Sequence, residues 1–296
     1  MSSMPNGALR DSGIVTRGWE GEQRCCVADI LLVMEFRLSL CLRVVVVIAV
    51  GLAVRCGSER APVQPRQDEP SGASIAFEFD PEVSIEDRDL VEETIVDSRR
   101  FYANEIGTDL KLDVTVKVLA EDGGPYLGLS YGRVVWIFTG GENWPLGSSL
   151  DEVIAKEQLI AHELFHTFQW DLMYTDDAIP SDSAWWISEG SAEYASARYV
   201  AARYNVDWPF ILLGYVVSTE SGLPSLSSNS RDVQYFDALY PKAFLAVESL
   251  MRDRPLKDLA TYFEATGRMD WEEAFLRVFE IAPSTFVSEF ESSSFQ

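Results

Sequence analysis

Residues 159–170 read LIAHELFHTFQW and contain His162 and His166, the two histidines of this 296-residue chain. The apolar residues of this stretch recur at helical spacing, which predicts one long helix over 151–172. Residues four apart on a helix lie one turn apart on the same face. Both imidazoles are therefore expected to face the same way and to be close enough to bind one metal ion.

Glu163 follows His162 directly and lies about 100° further around the helix. Its carboxylate would lie beside such an ion rather than on it, where it can accept a proton from an attacking water. This is the H-E-x-x-H arrangement, in which two histidines hold zinc and the glutamate is the general base. The pattern also occurs by chance, and the alternative is that the two histidines make unrelated polar contacts.

A catalytic zinc site uses three protein ligands and leaves one position open. A loop predicted over 176–183 would let the next helix, predicted over 184–204, fold back against the first one. Glu189 would then lie among aromatic and apolar residues, where a carboxylate is costly unless it is paired or binds a cation. We therefore expect Glu189 to be the third ligand. Glu193, one turn further on, either accepts a hydrogen bond from a ligand histidine or is a solvated surface residue.

Cysteine and charge limit the classes of function. The cysteines are Cys25, Cys26, Cys41 and Cys56, so any metal site in the later part of the chain must use histidine and carboxylate. The net charge is −23, and residues 75–296 carry all of the excess, with 39 acidic and 16 basic residues. Such a field repels phosphate backbones, which argues against nucleic-acid binding and favours a solvated acidic surface.

The first part of the chain has the pattern of an export signal. Residues 44–54 read VVVVIAVGLAV, an apolar run of 11 that is preceded by Arg37 and Arg43. This length is about half of what a membrane-spanning helix needs, and it suits a signal peptide. We therefore assign residues 1–56 to an N-terminal extension and a signal peptide or lipoprotein signal. Met34 begins a segment that reads as a complete signal sequence.

Cys56 follows the apolar run and resembles the lipidated cysteine of bacterial lipoproteins, although Arg55 stands where that pattern has a small residue. Lipidation, ordinary cleavage and an uncleaved anchor remain alternatives. Each of them places the later domain outside the cytoplasm, either secreted or tethered to the membrane. Residues 57–74 are rich in proline, serine, glycine and charge, and are predicted to be a flexible linker.

The periodicity of residues 75–296 predicts an α+β domain in which a small mixed sheet comes first and a mostly helical part follows. Strands are predicted at 75–79, 110–119 and 132–140, and helices at 84–106, 151–172, 184–204, 207–219, 235–252, 256–265, 270–281 and 283–292.

The chain resembles the gluzincin zinc metallopeptidases of the peptidase MA-like superfamily. The resemblance is carried by H-E-L-F-H at 162–166 and W-I-S-E-G-S-A-E-Y at 186–194, and it extends over roughly residues 130–295. It implies a zincin-like fold, with Zn²⁺ as the cofactor and a peptide or protein as the substrate. It also implies His162, His166 and Glu189 as ligands and Glu163 as the base.

Two shorter segments resemble the aminopeptidase-N-like branch of these enzymes. GGENW at 140–144 is similar to a motif whose glutamate binds the free amino group of the substrate, so Glu142 either has this role or lies in a plain turn. LYPKAF at 239–244 is similar to a stretch whose tyrosine donates a hydrogen bond to the developing oxyanion. Tyr240 either has that catalytic role or is a core residue, and Tyr235 is the second candidate.

The strand at 133–139 is a further candidate, either as the edge strand that pairs with an extended substrate or as an ordinary core strand. Together these features predict a secreted or membrane-tethered zinc metallopeptidase that hydrolyses peptide bonds with an activated water. The alternative is a gluzincin-like envelope protein that binds a partner and does not cleave. The sequence does not indicate an oligomeric state.

Overall fold

The computed structural model describes residues 72–124, 126–141, 144–145, 149–173, 184–219, 225–226 and 236–294. The predicted signal segment, Cys56 and most of the predicted linker therefore lie outside the described residues. The described part is a mixed α/β structure that is mostly helical and has one small open sheet. No helix within it is both long and apolar enough to cross a membrane.

As far as the structure describes the chain, the sheet has four strands, in the order β1-β2-β4-β3. They are β1 (Ile75–Phe79), β2 (Val114–Leu119), β3 (Gly128–Tyr131) and β4 (Val134–Phe138). β1, β2 and β4 are parallel, and β3 is antiparallel to β4. Alternate residues of the two central strands are fully buried, including Val116, Val118 and Ile137. This period-two burial is what the alternating apolar pattern of these strands predicts.

Eight helices surround or follow the sheet in the described residues. They are α1 (Ile85–Ile106), α2 (Leu150–Met173), α3 (Trp185–Tyr204), α4 (Trp208–Ser218), α5 (Phe236–Met251), α6 (Lys257–Thr266), α7 (Trp271–Phe279) and α8 (Pro283–Ser294). α1 connects the parallel strands β1 and β2. It begins after Ser84, whose hydroxyl accepts a hydrogen bond from the Asp87 amide, and it ends at Gly107 in the left-handed region, with φ of 84°.

α2 is the central helix, and it contacts α1, α3, α6, β3 and β4. Its residues are buried almost all round, which is expected of a helix that other elements enclose. The fully buried Tyr102 of α1 donates a hydrogen bond to the carbonyl of Ala161, next to His162, at 3.0 Å. The helix that carries both histidines is thus fixed within the core.

Of the two alternatives for the strand at 133–139, the structure supports the ordinary core strand. Its residues 134–138 form β4, which lies between β2 and β3 and is therefore an internal strand rather than the edge. The edge on this side is β3, a strand of four residues that the sequence pattern did not predict. β3 and β4 are joined by a tight turn in which Gly132 has φ of 59°, a conformation that glycine adopts without steric cost.

Candidate metal centre

Three side chains from two helices converge at one point. On α2, the Nε2 atoms of His162 and His166 lie 3.0 Å apart. On α3, the Oε2 atom of Glu189 lies 3.3 Å from His162 Nε2 and 3.2 Å from His166 Nε2. These residues form a group that could hold a metal ion, with ligand atoms all within 4.8 Å of one another.

Hydrogen bonds on the far side of His162 determine which of its ring nitrogens is free. Its Nδ1 lies 2.8 Å from Oε2 of the buried Glu193. A carboxylate only accepts hydrogen bonds, so Nδ1 carries the proton and Nε2 faces the cluster. The other oxygen of Glu193 accepts a hydrogen bond from the Tyr215 hydroxyl at 2.9 Å, and Gln158 Nε2 donates to that hydroxyl at 2.7 Å.

His166 is oriented by an amide instead of a carboxylate. Its Nδ1 lies 2.8 Å from Oε1 of Gln169, three residues later on α2. The Nε2 of Gln169 donates to the carbonyl of Ser188 and to the hydroxyl of Ser191, both at 2.8 Å. Because a carbonyl only accepts, this amide has one orientation, with its oxygen toward His166. The proton of His166 is thus also placed on Nδ1, and Nε2 faces the cluster.

The donor set fits zinc. Two Nε2 lone pairs and a carboxylate oxygen are stable at these separations only if positive charge lies among them, supplied by protons or by a metal ion. Tetrahedral zinc with bonds of about 2.0–2.1 Å separates two donors by about 3.3 Å. In the structure the three donor atoms are separated by 3.0, 3.2 and 3.3 Å. Two imidazoles and one carboxylate are also the ligand set of a common class of catalytic zinc site.

Without a bound ion, the pKa values of these side chains are set by burial and by the charges that they exert on one another. Burial opposes the charged forms of both histidines, but the surrounding carboxylates together outweigh it and raise the pKa of each ring. Glu189 acts on both rings, and Glu193 acts on His162. Burial alone would raise the pKa of Glu189, yet the charges and hydrogen bonds of His166 and His162 lower it. Glu189 is therefore the charged carboxylate of the cluster.

Glu163 lies next to the three converging side chains and is 7 % exposed. Burial raises the pKa of its carboxyl, and the two neighbouring histidines partly counteract this effect. Its side chain passes over Gly128 at the start of β3, where a Cβ atom would lie 2.6 Å from Glu163 Cγ. The carboxylate is thus held between the metal cluster and the edge strand.

Tyr240 of α5 borders the cluster on another side. Its ring centroid lies 6.0 Å from that of His162 and 5.5 Å from that of Trp185. Burial, the negative charge of Glu189 and a hydrogen bond to Glu189 raise the pKa of the Tyr240 hydroxyl well above its ordinary value. The hydroxyl therefore keeps its proton at neutral pH and can donate a hydrogen bond.

Close packing of α3 against α5 brings Glu189 and Tyr240 together. A Cβ atom on Gly190 would lie 2.5 Å from the carbonyl oxygen of Ala243. No side chain can be accommodated there, so the glycine next to Glu189 sets the distance between the two helices.

The cluster opens into a cleft of about 170 Å³. Glu163, His166, Glu189 and Tyr240 line it, together with Ser130, Gln169 and Ser188. Its apolar walls are formed by Tyr126, Leu129, Trp170, Met173 and Trp185. A few polar groups among aromatic walls are typical of a site that binds a small or extended ligand.

The structure brings together His162, Glu163, His166, Glu189 and Tyr240, and it places Glu193 on His162 as a hydrogen-bond acceptor. Glu142 and Tyr235 lie outside the described residues. Trp144, from the same GGENW segment as Glu142, is buried and donates to Asp87 at 3.3 Å.

Sequence reasoning missed Gln158 and Gln169. With the two histidines they form the series 158, 162, 166 and 169, a stripe of polar side chains on one face of α2. Their spacing of three and four residues could have shown that these side chains share a face with the histidines. Tyr215 on α4, which donates to Glu193, had no such signal because it is far away in the sequence.

Comparisons with protein-family models and with curated proteins found no match. Among solved structures, the chain is similar to an M1 zinc metallopeptidase from Deinococcus radiodurans, with 17 % sequence identity and a TM-score of 0.45. The match covers 72 % of this chain and 44 % of that one, so the chain spans less than half of its neighbour's length. The similarity is distant, and the chemistry of the site depends on the side-chain geometry described above.

Proposed function

We propose that this protein is a zinc-dependent peptidase of the gluzincin type. The observation that carries the proposal is the convergence of His162, His166 and Glu189 at separations of 3.0–3.3 Å, with both imidazoles oriented by hydrogen bonds on their far side. A base and a hydroxyl donor, Glu163 and Tyr240, border the same cleft. This combination supports hydrolysis rather than metal storage.

Each side chain has a role that follows from its position. His162, His166 and Glu189 would hold the ion. A zinc ion bound there would polarise the scissile carbonyl and lower the pKa of the attacking water. The Glu163 carboxylate would accept the proton of that water and pass it to the leaving amine. The Tyr240 hydroxyl would donate a hydrogen bond to the oxyanion, an interaction of about 2–4 kcal/mol in comparable sites.

The outer edge of β3 supports a peptide as the substrate, because no strand in the described part of the chain pairs with it. β3 pairs with β4 on one side, and its residues 128–130 line the cleft beside Glu163. An extended peptide could add to this edge through main-chain hydrogen bonds, which would carry its scissile bond past the base. We thus propose that β3 pairs with the substrate, which was one of the two alternatives for the neighbouring strand at 133–139.

The test is the metal content and peptide cleavage of the purified full-length chain. We expect one zinc ion per chain by elemental mass spectrometry, and cleavage of members of a proteome-derived peptide library. Glu163→Gln should keep the zinc and lose nearly all cleavage. The exposed Glu273→Gln on α7 is the control and should behave as the wild type. Unchanged cleavage by Glu163→Gln would remove Glu163 as the base, and zinc without any cleavage would favour the non-catalytic scaffold.

We further propose that the domain acts outside the cytoplasm, secreted or tethered through Cys56 or the apolar run at 44–54. The support is the pattern of Arg37, Arg43 and the apolar run. Intact mass of the protein from the membrane fraction tests this. A lipid adduct that disappears in Cys56→Ser would show lipidation, and an unprocessed chain in the cytoplasmic fraction would contradict the proposal.

A further inference from the structure

The inner face of β3 carries two small residues where it lies along α2. Gly128 is opposite Glu163, and the hydroxyl of Ser130 lies 3.2 Å from that of Thr167. Two residues of a strand span about 6.6 Å and four residues of a helix about 6 Å, so the two contacts have matching spacing. The larger residues of the strand, Leu129 and Tyr131, alternate with them and are exposed.

The space beside Gly128 is filled by the Glu163 side chain. A Cβ atom at position 128 would lie 2.6 Å from Glu163 Cγ, 2.9 Å from its carboxyl carbon and 2.8 Å from Oε1. These are the three nearest atoms, and none of them belongs to the backbone. At Gly190 and Gly267, in contrast, the nearest atoms are backbone carbonyl atoms. A methyl group at position 128 would therefore displace the Glu163 carboxylate rather than the backbone.

Backbone conformation does not explain why position 128 is a glycine. The glycines with positive φ in the described residues are Gly107, Gly124 and Gly132, and Gly128 is not among them. It lies in a regular antiparallel pairing opposite Ile137. Alanine could adopt the same backbone, so what distinguishes glycine here is the absence of a Cβ atom.

We propose that Gly128 is a positioning residue for Glu163. The missing side chain leaves the space that the carboxylate occupies and so fixes the base between the edge strand and the metal cluster. This proposal rests on the proposed function, which makes Glu163 the base. It adds that the edge strand places the catalytic carboxylate as well as offering an edge to the substrate.

The first experiment compares crystal structures and kinetics of the full-length wild type and Gly128→Ala, both loaded with zinc. We expect the Glu163 carboxylate to be displaced while the separation of the two histidine Nε2 atoms and the zinc content stay the same. Misplacement by about 1 Å can cost about 100-fold in rate, so kcat should fall by about that factor with KM within about twofold. An undisplaced carboxylate, or wild-type kcat, would overturn the proposal.

Double variants separate this role from a general effect on the strand. In the Glu163→Gln background, Gly128→Ala should cause no further fall in the residual rate, because the base is already lost. A further fall, or a large rise in KM, would show that residue 128 acts on the substrate instead. If Gly128→Ala lowers the melting temperature, Glu163→Ala should restore it, and failure to do so would place the clash elsewhere.

The two proposals fail in different ways. A wild-type chain that holds zinc and cleaves nothing would remove the peptidase function. The crystallographic displacement and the recovery of melting temperature by Glu163→Ala would still decide whether Gly128 sets the position of the carboxylate.

Discussion

The side-chain oxygen of Gln169 lies 2.8 Å from Nδ1 of His166, and both residues belong to the same helix. The amide nitrogen of Gln169 is held by Ser188 and Ser191 at the beginning of α3. One glutamine therefore links the orientation of a predicted ligand to the contact between the two helices that form the metal site.

We expect Gln169→Leu to weaken zinc binding by about 10–100-fold, the usual effect of removing a residue that orients a metal ligand. Leucine cannot accept a hydrogen bond from the N–H group of His166 Nδ1, so the ring would lose both its orientation and its tautomer preference. The dissociation constant can be measured by competition with a chromophoric chelator. Thr167→Val, a similar polar-to-apolar change at the neighbouring buried position, is the control. A wild-type dissociation constant in Gln169→Leu would contradict this prediction.

Glu189→Gln and Glu193→Gln should weaken zinc binding to different extents. The first replaces a charged ligand by a neutral amide, and we expect the protein to lose zinc on dialysis against a mild chelator. The second keeps all three ligands and weakens the hydrogen bonds that Glu193 accepts from His162 and Tyr215, so a loss of about 10–100-fold in affinity is expected. Elemental mass spectrometry after dialysis, followed by titration with zinc, measures both. Equal losses would mean that Glu189 is not a ligand.

Tyr240→Phe should lower kcat by about 10²–10³-fold, which is the usual effect of removing one oxyanion donor. Zinc content and KM should stay close to their wild-type values, because the ring and its contacts with His162 and Trp185 remain. The measurement is steady-state kinetics on the best substrate from the peptide library. Tyr194→Phe, which removes a hydroxyl outside the cleft, should retain the wild-type kcat. If both variants are equally active, Tyr240 has only a packing role.

Glu291 should make stability depend on pH. Its carboxylate accepts hydrogen bonds from Lys242 at 2.8 Å, from the Leu226 amide at 2.9 Å and from the Ser225 hydroxyl at 3.0 Å. Burial would raise its pKa, but these partners lower it below the ordinary value. A carboxyl whose pKa is lower in the folded state stabilises the protein above its unfolded pKa of about 4.3, and this contribution is lost as the pH falls through the folded pKa.

Glu291→Gln should therefore lower the free energy of unfolding by about 2 kcal/mol at pH 7, with a smaller difference from the wild type below about pH 4. Urea denaturation at a series of pH values measures it. Glu289→Gln, an exposed change on the same helix, is the control and should show neither effect. If the difference in the free energy of unfolding between the wild type and Glu291→Gln stays constant down to pH 3, the stabilisation does not come from the charged form of Glu291.

Much of the fold follows from local pattern. The predicted strand at 75–79 matches β1, and the predicted helix at 151–172 lies within one residue of α2 at each end. These elements have strong periodicity and clear ends. β3 escaped prediction because GLSY is short, begins with glycine and precedes another glycine, so its composition is that of a turn. Its strand conformation depends on pairing with β4, which is a tertiary effect.

The site was predictable to the extent that it lies on single helices. The spacing of His162, Glu163 and His166 is a local property of α2, and Glu189 was inferred from the cost of burying a carboxylate near them. The convergence of those residues is now observed, whereas their roles stay predictions until metal and activity are measured. Tyr215 and Gly128 could not be identified, because each matters only through a side chain that the fold brings from a distant segment.

The contact between Gly190 and the carbonyl of Ala243 has a consequence for how the site can change over time. Because the two helices touch there without an intervening side chain, the positions of Glu189 and Tyr240 are coupled. A substitution that tilts either helix changes the positions of both the carboxylate and the hydroxyl. Mutations in this part of the chain are therefore expected either to keep both groups in place or to displace both.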